Sequence, residues 1–513
     1  MNISISPGIV ARGILIAGLL LAAAYGVWAD EAFTVPVGER QLFLDDVGIA
    51  KMVDLKRTMH QPDKKGAVIR PNLETGEHAK QTRTAPVWNP ERKIFQFWDL
   101  YGNEPPVSNT SGYYESRDGL NWSKPAMGQI EFRGSKENNY IAIPLGGGRR
   151  TRPGCVVYDP ADPDPSRRYK GFGCVSGGVA LGVSPDGTNW KALDVPTISS
   201  SDEYNLSFDK KDRLFIATVK HGGPHGRSVH LSTSKDFEHW TRPELIFHAD
   251  KRDQELGRKN IEARLADGTL ESMRYDKPSS YNVDVYNMAV FRYESLYVGT
   301  PAMYHATGPH PNYPNTDGFK LVQLVCSRDL KSWKRLGDRK PFIGPSRRDS
   351  GAYDLTGIIG PSDAVLRGHE LWFYYTGSKY RAAGWDFVGK HPGGEWVPRH
   401  GYDKDKTAIC LAVLRRDGFI SLDAGQKAGS IVTRPFKVPG GRLFVNFNAI
   451  AGELRVEVLG ESSKVLAASE PIKGDHVRGE VVWKKGNLAA LKGKIVSMRF
   501  TLRNGRLYSY WFE

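Results

Sequence analysis

Cysteine is scarce. The 513-residue chain has four, at positions 155, 174, 326 and 410, and they form no C-x-x-C pair. Their spacing matches no zinc site. Cys155 and Cys174 fall on two strands expected to pair as a hairpin, so one bridge is compatible with export. Four buried thiols are the expected state. Helical periodicity is also missing, since no long segment places apolar residues at the 3.6-residue period. After residue 29 no apolar run is long enough to span a bilayer. Formal net charge is +14, yet no block of Lys or Arg forms a nucleic-acid stripe. The basic balance suits an ordinary secreted surface or an acidic polysaccharide partner.

The N-terminus reads as a targeting segment. Arg12 precedes an apolar run over residues 14–27, and Val27-Trp28-Ala29 places small residues near the −3 and −1 positions of a cleavage site. Residues 1–29 are therefore expected to be a secretory signal peptide, with an uncleaved N-terminal anchor as the alternative. The mature chain is expected to be secreted or periplasmic.

A short motif recurs along the remainder of the chain. S-x-D-x-x-x-W occurs at Ser116/Asp118/Trp122, Ser184/Asp186/Trp190, Ser234/Asp236/Trp240 and Ser327/Asp329/Trp333. A degenerate copy, Arg416-Asp417-Gly418-Phe419, lacks the Trp. A constant local pattern at irregular spacing marks a repeated supersecondary unit with variable loops. Before each copy lie three runs of aromatic and β-branched residues, separated by Asn, Pro, Asp and Gly. These are strand and turn signals. Each unit reads strand, tight turn, strand, loop, strand, Asp turn. Five such units over residues 40–424 predict an all-β, five-bladed β-propeller. Two stacked β-sandwiches would leave the regular Asp–Trp turns unexplained. Residues 425–513 lack the repeat and have short strands with Gly-rich turns, which predicts a small C-terminal β-sandwich.

These residues resemble the five-bladed propeller glycoside hydrolases, the arabinanase, levansucrase and invertase superfamily (glycoside hydrolase families 43, 32, 68 and 117). The turn Cys326-Ser327-Arg328-Asp329-Leu330-Lys331-Ser332-Trp333 is similar to the blade-ending turn of that group. The segment Leu42-Phe43-Leu44-Asp45-Asp46 is most like uncharacterised exported bacterial members. The resemblance covers about residues 40–425 and implies hydrolysis of O-glycosyl bonds. The chain also departs from the group. W-x-N-D-P-N-G and R-D-P are absent, and Trp88-Asn89-Pro90 has no Asp, so fructoside hydrolysis is not implied. Asp and Trp stand four apart, not five as in the sialidase Asp-box, so a six-bladed sialidase matches less well.

Propeller geometry sorts the loops. Turns after strands one and three lie at the bottom, and loops after strand two lie at the top. The Asp residues of the repeat are then structural, capping their own turns, with each Trp packed between blades. The top loops collect His and aromatic residues: His221 and His225, then His310 and Tyr313, then Tyr380, Trp385, Trp396 and Tyr402. Aromatic faces suit sugar rings, although the long last loop is equally suited to packing its own Trp residues. His221 and His225 flank Gly-Gly-Pro, which forbids the helical zinc geometry. No catalytic metal and no cofactor are expected.

Glycoside hydrolysis needs two carboxyl groups flanking the scissile bond. Acids at the entrances of innermost strands are the candidates. Asp202 as acid and Asp284 as base form the preferred pair, with Glu77 or Asp354 supporting and Asp46 a further first-blade candidate. The family's three acids come from its first three blades, and here the second opens with Arg152 instead. Arg83, Arg152, His221 and Trp385 are candidate substrate-binding residues, the arginines suiting a carboxylate or sulfate on the sugar. A salt bridge to those arginines is the competing role for every acid. Two functions are compatible with these residues: an exported hydrolase of a polysaccharide or oligosaccharide, or a non-catalytic carbohydrate-binding propeller.

Overall fold

The computed structural model describes residues 33–100 and 109–513. The signal-peptide reading falls on residues 1–29, outside the described residues. Five antiparallel sheets follow one another in the expected order. Blade one holds Val87–Asn89, Ile94–Trp98, Ser111–Ser116 and Tyr140–Ile141. Its fourth strand lies later than the position near Ile130 that the sequence suggests. Blade two runs Cys155–Tyr158, Tyr169–Val175, Gly178–Ser184 and Lys191–Ala192, and blade three Tyr204–Asp209, Leu214–Gly223, Gly226–Ser234 and Glu244–Phe247. In blade four, Asn282–Tyr293 and Leu296–Pro309 precede a third strand in two pieces, Thr316–Val322 and Val325–Ser327, then Lys334–Arg335. Blade five is Gly357–Ile359, Glu370–Ser378 and Thr407–Arg415.

The outermost strand of blade five comes from the other end of the chain. Asp63–Ile69 pairs with Thr407–Arg415, with Ile69 opposite Ile409 and Asp63 opposite Val413. The ring is thus closed by hydrogen bonds between early and late sequence. DKKGAVI is polar over its first half, so it gives a weak strand signal and its role is not legible locally. The segment entering blade one also bonds its neighbours on both sides. Thr84 Oγ1 donates to Val156 O at 3.0 Å, and Thr82 N donates to Thr376 Oγ1 at 2.9 Å.

The repeated turns have one shared geometry. In the first, Asp118 Oδ1 accepts from the backbone N–H of Leu120 and Asn121, each at 2.8 Å. Ser116 Oγ accepts from Gly119 N, and Trp122 Nε1 donates to Gly119 O. These bonds need only residues within four positions, so the turn is encoded locally. Each aromatic then packs against the preceding blade. Trp122 meets Tyr374 of blade five, Trp190 joins Trp98 and Tyr113 of blade one, and Trp240 meets Phe172 of blade two. Trp333 packs with Ile216 and Leu231 of blade three. Phe419 replaces Trp in the degenerate copy and packs 5.2 Å from Tyr293 of blade four.

Two features correct the sequence reading. Residues 251–266, in a chain where no long segment shows helical periodicity, form the one α-helix among the described residues, α1 (Lys251–Ala266). Asp250 and Asp253 make a capping box at its start. Its buried face is Asp253, Gly257, Ile261 and Arg264, at helical spacing but nearly without apolar side chains. That is why periodicity missed it. Gly257 permits the close approach, since a Cβ there would meet Val283 Cγ2 at 2.1 Å.

The second correction concerns the domain boundary. The C-terminal β domain is built on one 12-stranded sheet. It includes Gln41–Leu42, Ile49–Val53, Lys56–Met59 and Ile420–Ala424, which the range 40–424 had assigned to the propeller. Its central strand, Leu443–Leu459, pairs first with Gly505–Phe512 and then with Ile495–Arg503. Phe43, Leu422, Val445, Val456 and Phe500 share its core. The L-F-L-D-D segment therefore joins this domain, through Phe43, to the core of blades four and five, through Leu42 and Leu44, and does not belong to the first blade.

All four cysteines are free. Cys155 stands opposite Phe172 in the ladder, so Cys174 lies two residues from the facing position and no bridge forms. Among the described residues no helix is long and apolar enough to cross a membrane.

Candidate functional site

The upper end of the channel opens into a cavity of about 210 Å³. Tyr286 and Lys320 reach it from blade four, and Tyr380, Arg381, Trp385 and Lys406 from the long loop of blade five. Its outer wall is an aromatic cluster joining two loops. Tyr313 lies 5.0 Å from both Trp396 and Phe387, and His310 lies 5.4 Å from Trp396. The loop thus packs its own aromatics and lines the cavity with them. A second cavity, of about 460 Å³, lies at the lower end among the first turns of the blades, beside Trp88, Phe208 and Asp363.

Three ion pairs surround Tyr286, which lines the upper cavity. Arg83 donates from Nε and Nη2 to the two oxygens of Glu203, at 2.5 and 2.6 Å. Lys220 Nζ lies 2.5 Å from Asp202, and Arg227 Nε donates to Asp284 at 2.8 Å. Tyr286 stands among these groups. The Lys220 and Lys320 ammoniums lie 4.0 and 4.1 Å from its ring centroid, and Arg227 lies at 5.3 Å. The electron-rich ring face attracts each cation. Burial raises the Glu203 carboxyl, but the charge and hydrogen bonds of Arg83 prevail and hold it at about 2. Glu203 is therefore a fixed anion and no proton donor.

Three further cations have no such partner. Among the described residues Lys320, Arg381 and Lys406 form no ion pair with a carboxylate. Burial, with Arg381 and Arg227 nearby, pushes the Lys320 ammonium well below the lysine range. Burial and the Arg381 charge lower Lys406 to about 8. Arg381 Nε, Trp385 Nε1 and Thr407 Oγ1 are buried without a hydrogen-bond partner, and all three residues line the cavity.

The expected site residues divide. Asp202 and Asp284 do not line the cavity, but their cation partners both lie over Tyr286, which does; the Asp202 side chain is 60% exposed and that of Asp284 11%. Trp385 lines the cavity, with the Lys406 ammonium 4.5 Å from its ring centroid. Arg83 belongs to the three ion pairs but is consumed by Glu203. The structure does not bring the others to the cavity. Glu77 is buried against Lys80 at 2.8 Å and accepts from Asn72 N. Asp354 is buried against Lys64 at 2.7 Å and accepts from the Tyr375 hydroxyl. Asp46 pairs with Arg57 and Lys334 beside the C-terminal sheet. Arg152 donates to Leu100 O, and His221 bonds Ser199 O. Among the described residues no cluster of His, Cys, Asp or Glu is arranged to hold a metal.

Sequence reasoning missed Tyr286, Lys320 and Lys406 as site residues. One signal was available for Lys320. It interrupts the apolar strand Phe319-Lys320-Leu321-Val322, and a lysine inside such a run is seldom buried without a reason.

No protein-family model matches the chain, and no curated protein matches it in sequence. Solved structures of similar fold include the catalytic domain of a family 62 α-L-arabinofuranosidase from Coprinopsis cinerea. It is 13% identical, with 69% of this chain and 97% of that one covered and a TM-score of 0.39. An α-L-arabinanase from Penicillium chrysogenum is 12% identical, covering 70% and 98%, with a TM-score of 0.35. An N-acetylgalactosamine deacetylase from F. plautii is 13% identical, covering 76% and 97%, with a TM-score of 0.37. At these identities the likeness is one of fold, and a fold hosts several chemistries.

Proposed function

We propose that this chain is an exported glycoside hydrolase that binds an oligosaccharide or polysaccharide in the upper cavity. The observation that carries this reading is a sugar-sized aromatic cavity whose wall residue Tyr286 also carries, over its ring, the cation partners of two carboxylates, Asp202 and Asp284. Tyr380, Trp385 and Trp396 offer ring faces to the sugar's C–H side. In its protonated form Asp202 gives its proton to the glycosidic oxygen, and the C1–O bond breaks. Asp284 takes a proton from water, whose oxygen forms the new bond to C1. The products are a reducing sugar and the released alcohol. A carboxyl separation of about 5–5.5 Å in the sugar complex goes with retention, and about 6.5–9.5 Å with inversion.

The test is reducing-sugar release by mature protein from neutral, uronate and sulfated polysaccharides, with Asp202→Asn and Asp284→Asn beside it. Release lost in both folded variants supports the pair. Release retained in both removes it.

A second reading, a carbohydrate-binding propeller without catalysis, is favoured by the cavity lining, which contains no carboxylate. Retention on a glycan affinity gel with no release would establish it. Export is tested separately by sequencing the N-terminus of the mature protein, which is expected to begin at residue 30.

A further inference from the structure

We propose that the upper cavity binds an anionic substituent of its sugar, a carboxylate or a sulfate ester, between Lys320, Arg381 and Lys406. This rests on reading the cavity as a glycan site and adds the charge class of the ligand. Arg83, Lys220 and Arg227 are matched one for one by Glu203, Asp202 and Asp284. Lys320, Arg381 and Lys406 are left over.

Lys320 is 7% exposed. An ammonium so far from water and without a counter-ion is strongly unfavourable, and it sheds its proton unless an anion arrives. Its charged neighbours Arg381, Arg227 and Arg83 make the position worse, and Glu203, already held by Arg83, only partly opposes them. Cation–π contacts with Tyr286 and Tyr304, at 4.1 and 5.7 Å, offset only part of that cost.

The unused donors point the same way. Arg381, Trp385 and Thr407 line this cavity, and each has a buried donor, Nε, Nε1 or Oγ1, with no acceptor in the chain. No carboxylate lines the cavity to serve them. A carboxylate or sulfate oxygen supplies both the missing charge and the missing acceptors, while the adjoining aromatic rings suit a sugar ring. A neutral sugar would leave the cations unpaired in a partly desolvated site. Such a cavity therefore discriminates strongly against uncharged ligands.

The test uses the full mature chain and calorimetric titration at low salt. The ligands are gluco-, galacto- and manno-configured oligosaccharides, each in neutral, sulfated and uronate forms. One charged form is expected to bind at least tenfold tighter than its neutral counterpart, and which one does so identifies the anion. Lys320→Met and Lys406→Met are each expected to weaken that charged ligand at least tenfold and leave the neutral one unchanged. Equal binding of all three forms, or full retention of the charged ligand by both variants, overturns the proposal. Thermal melting guards against misfolding. Ligand-free Lys320→Met should melt at or above the wild-type temperature, because a buried amine without a counter-ion has been removed. A fall of several degrees would mean that the ammonium serves a partner within the chain, and would overturn the proposal. Selective binding of a charged sugar without cleavage would sustain the anion site and end the hydrolase reading. Cleavage without charge preference would do the reverse.

Discussion

Asp417 and Arg40, 377 positions apart, form a buried ion pair of 2.5 Å. Asp417 belongs to the degenerate fifth copy of the repeat. In the other four copies the Asp faces its own turn. Here it is fully buried and also accepts from the Tyr293 hydroxyl, Asn446 Nδ2 and Ser509 Oγ, at 2.7, 3.0 and 2.6 Å. Tyr293 is in blade four, and Asn446 and Ser509 are in the C-terminal sheet. One carboxylate therefore joins the propeller to the domain that follows it. Asp417→Ala leaves Arg40 buried without its counter-ion, which should cost about 3–5 kcal/mol. Urea unfolding should show that loss, while Asp118→Ala, in an exposed turn, should lose much less. Equal effects would deny Asp417 its joining role.

The buried pairs of Glu77 and Asp354 should be structural. Asp354→Asn leaves Lys64 of the closing strand without its carboxylate, and Glu77→Gln does the same to the fully buried Lys80, which keeps Asp99. Glu77→Gln should lower stability by up to about 3–5 kcal/mol, and Asp354→Asn by less, because Lys64 is part-exposed and keeps Gly344 O and Ser346 Oγ as acceptors. Glycan binding at temperatures where the variants remain folded should not change. Loss of binding with unchanged melting would return these acids to the site.

Lys406 gives the upper cavity a pH dependence. Its folded-state value, about 8, lies below its ordinary 10.5. Between those values the unfolded chain holds the proton and the folded chain has released it, so this residue's contribution to stability increases from pH 8 to 10.5. Lys406→Met should flatten that part of the melting profile. A bound anion would draw the proton back. Calorimetry at pH 8.5 in buffers of different ionisation enthalpy should therefore register proton uptake on binding a charged sugar, and less uptake in the variant.

Asp363, at the lower cavity, has the opposite sign. Burial raises its carboxyl to about 7, which the Ala364 N–H and the Lys210 charge only partly oppose. The folded state holds a proton that the unfolded state gives up near pH 4. The residue's stabilisation is thus present at low pH and lost as pH rises through 7. Asp363→Asn should raise the melting temperature at pH 8 by a few degrees and change little at pH 4. A melting shift of equal size at both pH values would show that the carboxyl does not titrate there.

What could be read from the sequence was whatever its local chemistry settles. The Ser–Asp–Trp turns need only bonds within a few residues, so four copies disclosed four blades and the fifth could be inferred from its remnant. Alternating aromatic and β-branched runs disclosed the strands between them. Tertiary structure decided the rest, because in each case the partner comes from far along the chain. Asp63–Ile69 becomes a strand of blade five only through its ladder to Thr407–Arg415. Helix α1 buries an Asp, a Gly and an Arg, which register as apolar spacing nowhere, and is held by Arg335, Arg339 and the backbone of Leu355. The acids at the blade entrances looked equivalent in sequence. Folding paired the buried acids Glu77, Asp354 and Glu203 with cations of their own and left Asp202 and Asp284 held by cations that lie over Tyr286. The same assembly gathered Lys320, Arg381 and Lys406 from two blades around one space, where the charge of each depends on what the others and the ligand supply.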